Sequence, residues 1–152
     1  MKKLYQSGFT LIEVTIVLGL IGVIAAFGVA MSYSSLSKTN VTQERDLFVA
    51  LLLRSTRAAA IANIDETAHS VKFDNSGHRY ILFDGADPNA AAANPRYIPY
   101  TNENINVTNT GGDTIVFAQL SSDVTFGSGT VSISNGVTSQ AVNIRPTGQI
   151  DW

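Results

Sequence analysis

Side chains that could do chemistry are sparse in this sequence. It has no cysteine and two histidines, His69 and His78, which lie nine residues apart across a predicted turn. Without cysteine there is no disulfide scaffold, Cys-based zinc site or thiol nucleophile, and the histidines lack the HxxxH spacing of a metal site. No GxSxG, P-loop or GxGxxG motif occurs. We therefore predict no catalytic residues, no metal and no cofactor, and a structural or surface role for both histidines.

One loop gathers oxygen donors. Asp84-Gly85-Ala86-Asp87-Pro88-Asn89 could bind calcium through its carboxylates and amide. It lacks the Asp-x-Asp-x-Asp-Gly pattern and the closing bidentate Glu of a calcium loop, which favours an ordinary Asx-turn.

A single carboxylate lies in the apolar N-terminal segment. Residues 9 to 31 read FTLIEVTIVLGLIGVIAAFGVAM, with Glu13 as their one charged side chain. An acidic group in hydrocarbon costs on the order of 2.5 to 3.5 kcal/mol on insertion scales, so Glu13 needs a partner there. The alternative is that Glu13 lies about one helical turn deep and is solvated near the lipid headgroups.

The apolar segment is long enough to cross a membrane. Its 23 residues, at about 1.5 Å each, span roughly 34 Å, against a hydrocarbon core of about 30 Å. Lys2 and Lys3 precede it, and the positive-inside bias keeps the N-terminus cytoplasmic and the rest of the chain extracytoplasmic. A secretory signal cleaved after Ala30, at Gly28-Val29-Ala30, is an alternative, although the apolar run is longer than a typical signal core.

The start of the apolar segment carries a motif. Gly8-Phe9-Thr10-Leu11-Ile12-Glu13-Val14, behind a short basic leader, resembles the processing site of type IV pilins and type II secretion pseudopilins. The resemblance implies that prepilin peptidase cuts between Gly8 and Phe9, that the new amino group of Phe9 is methylated, and that the helix is retained. It also implies that Phe9, Thr10 and Glu13 act in assembly. In this family the carboxylate at Glu13 pairs with the N-terminal amine of a neighbouring subunit.

Physical reasoning agrees with these roles. Gly8 has no side chain to block a protease, and Phe9 opens the apolar run, so that cleavage would release Lys2 and Lys3 with the leader. The processed chain would have 144 residues, with eight basic and twelve acidic side chains. Because residues 9 to 31 contain no proline, we expect no proline kink in this helix.

The remaining residues, 32 to 152, predict one extracytoplasmic α+β domain. SYSSLSKTNVT, from Ser32, could be a linker or a weak helical turn, because Ser and Thr lower helix propensity. Apolar spacings of three and four predict an amphipathic helix over 41–63, whose charges, Glu44 among them, should be mostly solvated.

A mostly antiparallel sheet should follow over about 68–150. Strands are predicted at 70–73 and 80–83, which form a hairpin, and at 105–108, 114–120, 123–126, 130–134 and 137–144. Asn135-Gly136 signals a two-residue hairpin turn. Asp84 to Pro99 is expected to be a variable surface loop, because it holds Asp-Gly, Asp-Pro and two further prolines.

Two stretches suggest a subgroup. LLLRSTRAAAIAN (51–63) and the closing NIRPTGQI (143–150) are similar to the GspH/FimT-type minor pseudopilins. The combined expectation is a pilin-like fold with residues 1–8 as leader, 9–31 as membrane and assembly helix, and 32–152 as the sheet domain.

The resemblance also implies partners. These are other pilin or pseudopilin subunits, a prepilin peptidase and methyltransferase, an inner-membrane assembly platform and membrane lipid. The alternative is a pilus-associated adhesin or DNA-uptake receptor of the FimT-like type, whose loop 84–99 would contact a ligand. Nucleic acid is not expected as a partner, because ten basic residues face twelve acidic ones and Arg145 is the one base in the last 50 residues.

Overall fold

The computed structural model describes residues 10–90 and 93–152. Its contacts divide the chain after Leu36 into an N-terminal helical unit and a second unit, Ser37–Trp152. All strands and the hydrophobic core belong to the second unit. One long N-terminal apolar helix and antiparallel sheets make this an α+β, pilin-like fold, as the sequence predicted.

The helical region continues through the Ser/Thr-rich stretch. Helix α1 spans Leu11–Leu47, a π-helical segment covers Phe48–Leu53, and helix α2 spans Arg54–Ile61. The hydroxyl of Ser32 donates to the carbonyl of Gly28, and that of Thr42 to the carbonyl of Lys38, at 2.9 and 3.0 Å. Because these hydroxyls bond four residues back along the helix, they do not offer the backbone a competing turn. The stretch is therefore helical and not a linker.

Within the described residues, nine strands form two antiparallel sheets. The first sheet has the order β3-β2-β1-β5-β6 and the second β4-β7-β8-β9. The strands are β1 His69–Asp74, β2 Arg79–Asp84, β3 Arg96–Pro99, β4 Asn106–Asn109, β5 Thr114–Phe117, β6 Val124–Phe126, β7 Gly129–Ser134, β8 Ser139–Ile144 and β9 Ile150–Asp151.

One hydrophobic core joins the helices to both sheets. Phe48 and Leu52 of the π-helical segment are fully buried, as are Val71 and Ile115 of the first sheet and Val131 of the second. The Phe48 ring stacks on that of Tyr80 at a centroid distance of 5.6 Å. This packing, more than intrinsic propensity, stabilises the helical residues of the second unit against the sheets.

Two details of the sheets differ from the prediction. Ser134 pairs with Ser139, so the β7–β8 connection has four residues and not the two that Asn135-Gly136 suggested. The Asn135 side-chain oxygen accepts hydrogen bonds from the amides of Val137 and Thr138 at 3.1 and 3.0 Å, which stabilises the longer loop.

The segment from Asp84 to Pro99 is not a loop throughout, because β3 lies within it. Arg96–Pro99 pairs with β2 as an edge strand. Proline is tolerated at a sheet edge, where its missing N–H faces away from the ladder, so the two prolines did not exclude a strand.

The predicted β1–β2 hairpin is present, and Asp74 organises its turn. One carboxylate oxygen accepts hydrogen bonds from the Ser76 hydroxyl at 2.7 Å and the Gly77 amide at 2.9 Å. The other accepts one from Arg79 Nε at 2.8 Å. These bonds, that from Ser76 first, lower the pKa of Asp74 from 3.8 to about 2.

Replacing Asp74 with Asn should make the melting temperature depend less on pH in the acid range. Because the folded state lowers this pKa, the ionised carboxylate contributes stability above pH 3.8 that is lost as the pH falls towards about 2. The Asn variant should melt at a lower temperature than the wild type at pH 5, with the difference shrinking below pH 3.8. Melting followed by circular dichroism between about pH 2 and 6 measures this difference.

Asp123→Asn is the matched control, because this exposed carboxylate has no hydrogen bond or ion pair among the described residues. A constant difference between Asp74→Asn and wild type across the pH range would contradict the role given to Asp74.

Candidate functional site at the N-terminal helix

The first turn of α1 is closed by Thr10 and Glu13. The amide and the hydroxyl of Thr10 each donate to Glu13 Oε2 at 3.2 Å. In return the Glu13 amide donates to Thr10 Oγ1 at 3.3 Å. This reciprocal arrangement is a capping box, which satisfies amides that a helix N-terminus otherwise leaves without partners.

The capping box gives Glu13 a role that the sequence analysis missed. The Thr-x-x-Glu spacing before an apolar run is the signal that could have revealed it. Within the part of the chain that the structure describes, no basic side chain pairs with Glu13. Its Oε2 is thus occupied by neutral donors from its own chain, and its charge has no counterion there.

Of the site residues that the sequence predicted, the structure brings Thr10 and Glu13 together. Gly8 and Phe9, the predicted processing pair, lie outside the described residues, as do Lys2 and Lys3. Their roles stay predictions.

The helix behind this cap exposes its apolar side chains. From Leu11 to Leu36 its large hydrophobic residues are between 47 and 90% exposed. A Cβ added at Gly19, Gly22 or Gly28 would meet nothing within 4 Å. The helix is long and apolar enough to cross a membrane. Its surface includes small residues that admit close packing of another helix.

The second unit contains a buried carboxylate, Glu44 of α1. It is fully buried, whereas the sequence analysis expected it to be solvated. Its Oε2 accepts hydrogen bonds from the amide and the hydroxyl of Thr101 at 2.8 and 2.5 Å. Charge patterning failed here because Glu44 lies on the helix face that the loop between β3 and β4 covers.

Tyrosines surround this carboxylate. Burial, and secondly the negative charge of Glu44, raises the pKa of Tyr80 well above its usual value, so the phenol stays protonated. Neither the Tyr80 hydroxyl nor Glu44 Oε1 has a hydrogen-bond partner among the described residues. The Tyr100 hydroxyl donates to Asn75 Oδ1 at 3.0 Å. The cluster joins helix, sheet and loop, but it holds no base that could neutralise Glu44.

His69, for which the sequence predicted a structural or surface role, is held by two polar contacts. It is buried, with Nδ1 3.0 Å from Asp84 Oδ1 and Nε2 2.9 Å from the carbonyl of Ile64. The neighbouring Ser70 hydroxyl donates to the carbonyl of Gly85 at 2.5 Å and not to the imidazole. The pair therefore lacks the nucleophile-to-base hydrogen bond of acyl-transfer sites.

His69, Ser70 and Asp84 line a cavity of about 370 Å³ between α2, β1 and β2.

In the oxygen-rich loop of residues 84–89, Asp87 accepts a hydrogen bond from the Asn89 amide at 2.9 Å, which is an Asx-turn. Over residues 10–90 and 93–152 no three His, Asp or Glu side chains are grouped closely enough to hold a metal ion.

Comparison with known proteins bears on the N-terminal segment. Residues 3–29 match the family described as the prokaryotic N-terminal methylation motif. No curated protein and no solved structure matches the chain significantly. The match does not reach the stretches that resemble the GspH/FimT type, so that subgroup is not confirmed. Residues 3–29 carry the prepilin motif of the type IV pilin and pseudopilin superfamily, and this motif, with an apolar helix that fits a membrane anchor, supports a type IV pilin-like or pseudopilin subunit.

Proposed function

We propose that the protein is a structural subunit, and a minor one, of a type IV pilus or a type II secretion pseudopilus. It is made as a prepilin and processed between Gly8 and Phe9. It then assembles through its N-terminal helix. The methylation motif at residues 3–29 is the observation that carries this proposal.

The exposed helix supports an assembly role. Its large apolar side chains are between 47 and 90% exposed, and such a surface is covered in a membrane or in a bundle of similar helices. Lipid is the first environment that we propose, and other pilin or pseudopilin subunits are the second.

The charges at the N-terminus support one direction of the helix across the membrane. Lys2 and Lys3 on the cytoplasmic side would place Ser37–Trp152 outside the cytoplasmic membrane. Gly8 and Phe9 would then lie on the cytoplasmic side, within reach of a membrane-embedded prepilin peptidase and methyltransferase. An assembly platform in the same membrane would receive the processed helix.

Minor status rests on the resemblance of 51–63 and 143–150 to GspH/FimT-type subunits. It predicts that the protein forms a small fraction of any fibre that contains it. Quantitative mass spectrometry of sheared fibres measures that fraction.

The N-terminus of the protein from its native host tests the processing step. We expect a chain of 144 residues that begins at methylated Phe9, identified by its intact mass and its N-terminal peptide. Gly8→Val should block cleavage, because a branched side chain would obstruct the scissile bond. Gly28→Val is the matched control and should leave cleavage unchanged.

Two results would overturn the proposal. A wild-type chain that still begins at Met1 would exclude processing as a prepilin. A chain cut after Ala30 would mean that the segment is a secretory signal.

A further inference from the structure

The sequence contains one Asn-Gly pair, Asn135-Gly136, in the loop between β7 and β8. Asparagine is most prone to spontaneous deamidation before glycine, because glycine has no side chain to keep its backbone nitrogen away from the carboxamide. Asn135 is half-buried and Gly136 is exposed, so water reaches the pair. The pair is therefore chemically able to react, and the contacts around it decide whether it does.

Deamidation of this pair takes two balanced steps. The backbone nitrogen of Gly136 attacks Cγ of Asn135 and forms a carbon–nitrogen bond. The bond from Cγ to Nδ2 breaks, and ammonia leaves with the proton of the Gly136 nitrogen. Water then opens the cyclic imide at either of its carbonyl carbons, which gives aspartate or isoaspartate at position 135. Water is the one co-reactant that the reaction needs.

The carboxamide of Asn135 is held on both sides. Its Nδ2 donates to the carbonyl and the hydroxyl of Ser37 in α1, at 3.0 and 2.8 Å, and Ser37 is buried. Its Oδ1 accepts from the amides of Val137 and Thr138. A carboxamide has two N–H donors and two acceptor lone pairs, so these contacts fill its capacity. Because attack makes the planar Cγ tetrahedral, it would move Nδ2 away from Ser37.

The attacking nitrogen is held as well. The amide of Gly136 donates to Ser134 Oγ at 3.1 Å, which keeps on this nitrogen the proton that it must give up. The preceding amide, that of Asn135, donates to the carbonyl of Thr138 at 3.2 Å. The backbone on both sides of the reacting bond is therefore fixed by the loop.

One pair of contacts acts in the opposite direction. The amides of Val137 and Thr138 polarise the carbonyl of the Asn135 side chain, as donors in an oxyanion hole do. This polarisation helps only once the Gly136 nitrogen approaches Cγ. The contacts with Ser37 and Ser134 oppose that approach, so the closed loop should react slowly.

We infer that Asn135 is a site of spontaneous deamidation whose rate is set by opening of the contact between the β7–β8 loop and Ser37. While the contact is closed, the carboxamide is retained. When local unfolding opens it, Asn135 reacts with its own backbone and with water. The modified chains then accumulate with the time that the contact spends open. This inference is independent of the proposed function.

The products cannot rebuild the contact. An aspartate carboxylate has no N–H donor, so an oxygen would replace Nδ2 beside the Ser37 carbonyl. Isoaspartate adds one atom to the main chain of a loop whose ends are fixed by the pairing of Ser134 with Ser139. Both products should weaken the attachment of the β7–β8 loop to α1.

Peptide mass spectrometry of the full chain in detergent, incubated at mildly alkaline pH, tests the inference. Ammonia loss and hydrolysis at position 135 are measured for the folded chain and for the chain in concentrated urea. We expect the folded chain to deamidate at least about tenfold more slowly, because the closed contact must open first.

Ser37→Ala separates the local contact from global unfolding. It removes one acceptor of the Asn135 carboxamide and should raise the rate in the folded chain by about fivefold, the effect of one lost hydrogen bond. The comparison is made below the melting temperature of both proteins. Ser134→Ala should also raise the rate, because it frees the Gly136 amide. Ser32→Ala is the matched control, since the Ser32 hydroxyl bonds within its own helix.

Asn135→Asp tests the effect of the product. This variant should melt at a lower temperature than the wild type at neutral pH. Asn104→Asp is its control, because Asn104 is exposed and its side chain has no hydrogen bond among the described residues.

Three results would overturn the inference. The first is equal deamidation in folded and urea-unfolded chains. The second is a rate unchanged by both Ser37→Ala and Ser134→Ala. The third is Asn135→Asp melting no lower than Asn104→Asp, which would show that the products keep the contact.

Discussion

Replacing Glu13 with alanine should lower incorporation of the protein into fibres by about two orders of magnitude. The proposed partner of Glu13 is the methylated amine of Phe9 in a neighbouring subunit. Removing the carboxylate would leave that ammonium uncompensated among apolar helices, at a cost on the order of 2.5 to 3.5 kcal/mol. The ratio of fibre-bound to membrane-bound protein, at matched expression, measures the effect.

Glutamine at position 13 separates pairing from capping. Glutamine can replace glutamate in a capping box, so the hydrogen bonds with Thr10 should survive in Glu13→Gln while the negative charge is lost. We expect this variant to be nearly as defective as Glu13→Ala. Normal incorporation of Glu13→Gln would contradict the pairing account and leave Glu13 as a helix cap.

Thr15→Val is the control for changes within the apolar helix. The Thr15 hydroxyl donates to the carbonyl of Leu11 within the same helix, at 2.6 Å. Its loss should leave incorporation unchanged, because the backbone carbonyl keeps its own helical hydrogen bond.

Replacing Glu44 with alanine should destabilise the second unit, Ser37–Trp152, by about 3 kcal/mol, or lower its melting temperature by roughly 10 °C. The substitution removes the acceptor for the amide and hydroxyl of Thr101 and leaves a cavity beneath the β3–β4 loop. Thermal or urea unfolding of the full chain in detergent, followed by circular dichroism, measures the loss.

Glutamine at position 44 should cost less than about 1 kcal/mol. Its carbonyl oxygen can accept both hydrogen bonds from Thr101, and the buried charge, which has no basic partner among the described residues, disappears. Asp46→Ala is the control for removal of a helix acid, because Asp46 is 60% exposed and pairs with the adjacent Arg45. Equal damage from Glu44→Gln and Glu44→Ala would show that the charge itself stabilises the fold.

The hydrophobic pattern predicted most of the secondary structure because it recurs over many residues. The β1–β2 hairpin followed from alternation on both sides of Asp74-Asn75-Ser76-Gly77, whose turn chemistry the structure shows. Strand β9 was missed because two residues cannot display a period. Strand β3 was missed because local proline signals do not reveal that a segment lies at a sheet edge.

Glu13 and Glu44 show the same limit of prediction from local sequence patterns. The type and position of Glu13 made it conspicuous within an apolar run, and its motif was recognisable. Glu44 was ordinary in sequence, since a single glutamate among other charges on a helix is usually solvated. Its burial depends on Thr101, 57 residues later in the chain, and no local pattern encodes that contact.

The capping box has a consequence for the proposed processing step. Thr10 and Glu13, which close the first described turn of α1, both follow the bond between Gly8 and Phe9 in the sequence. A cut at that bond would remove neither partner, so the processed chain would keep the helix cap of its precursor.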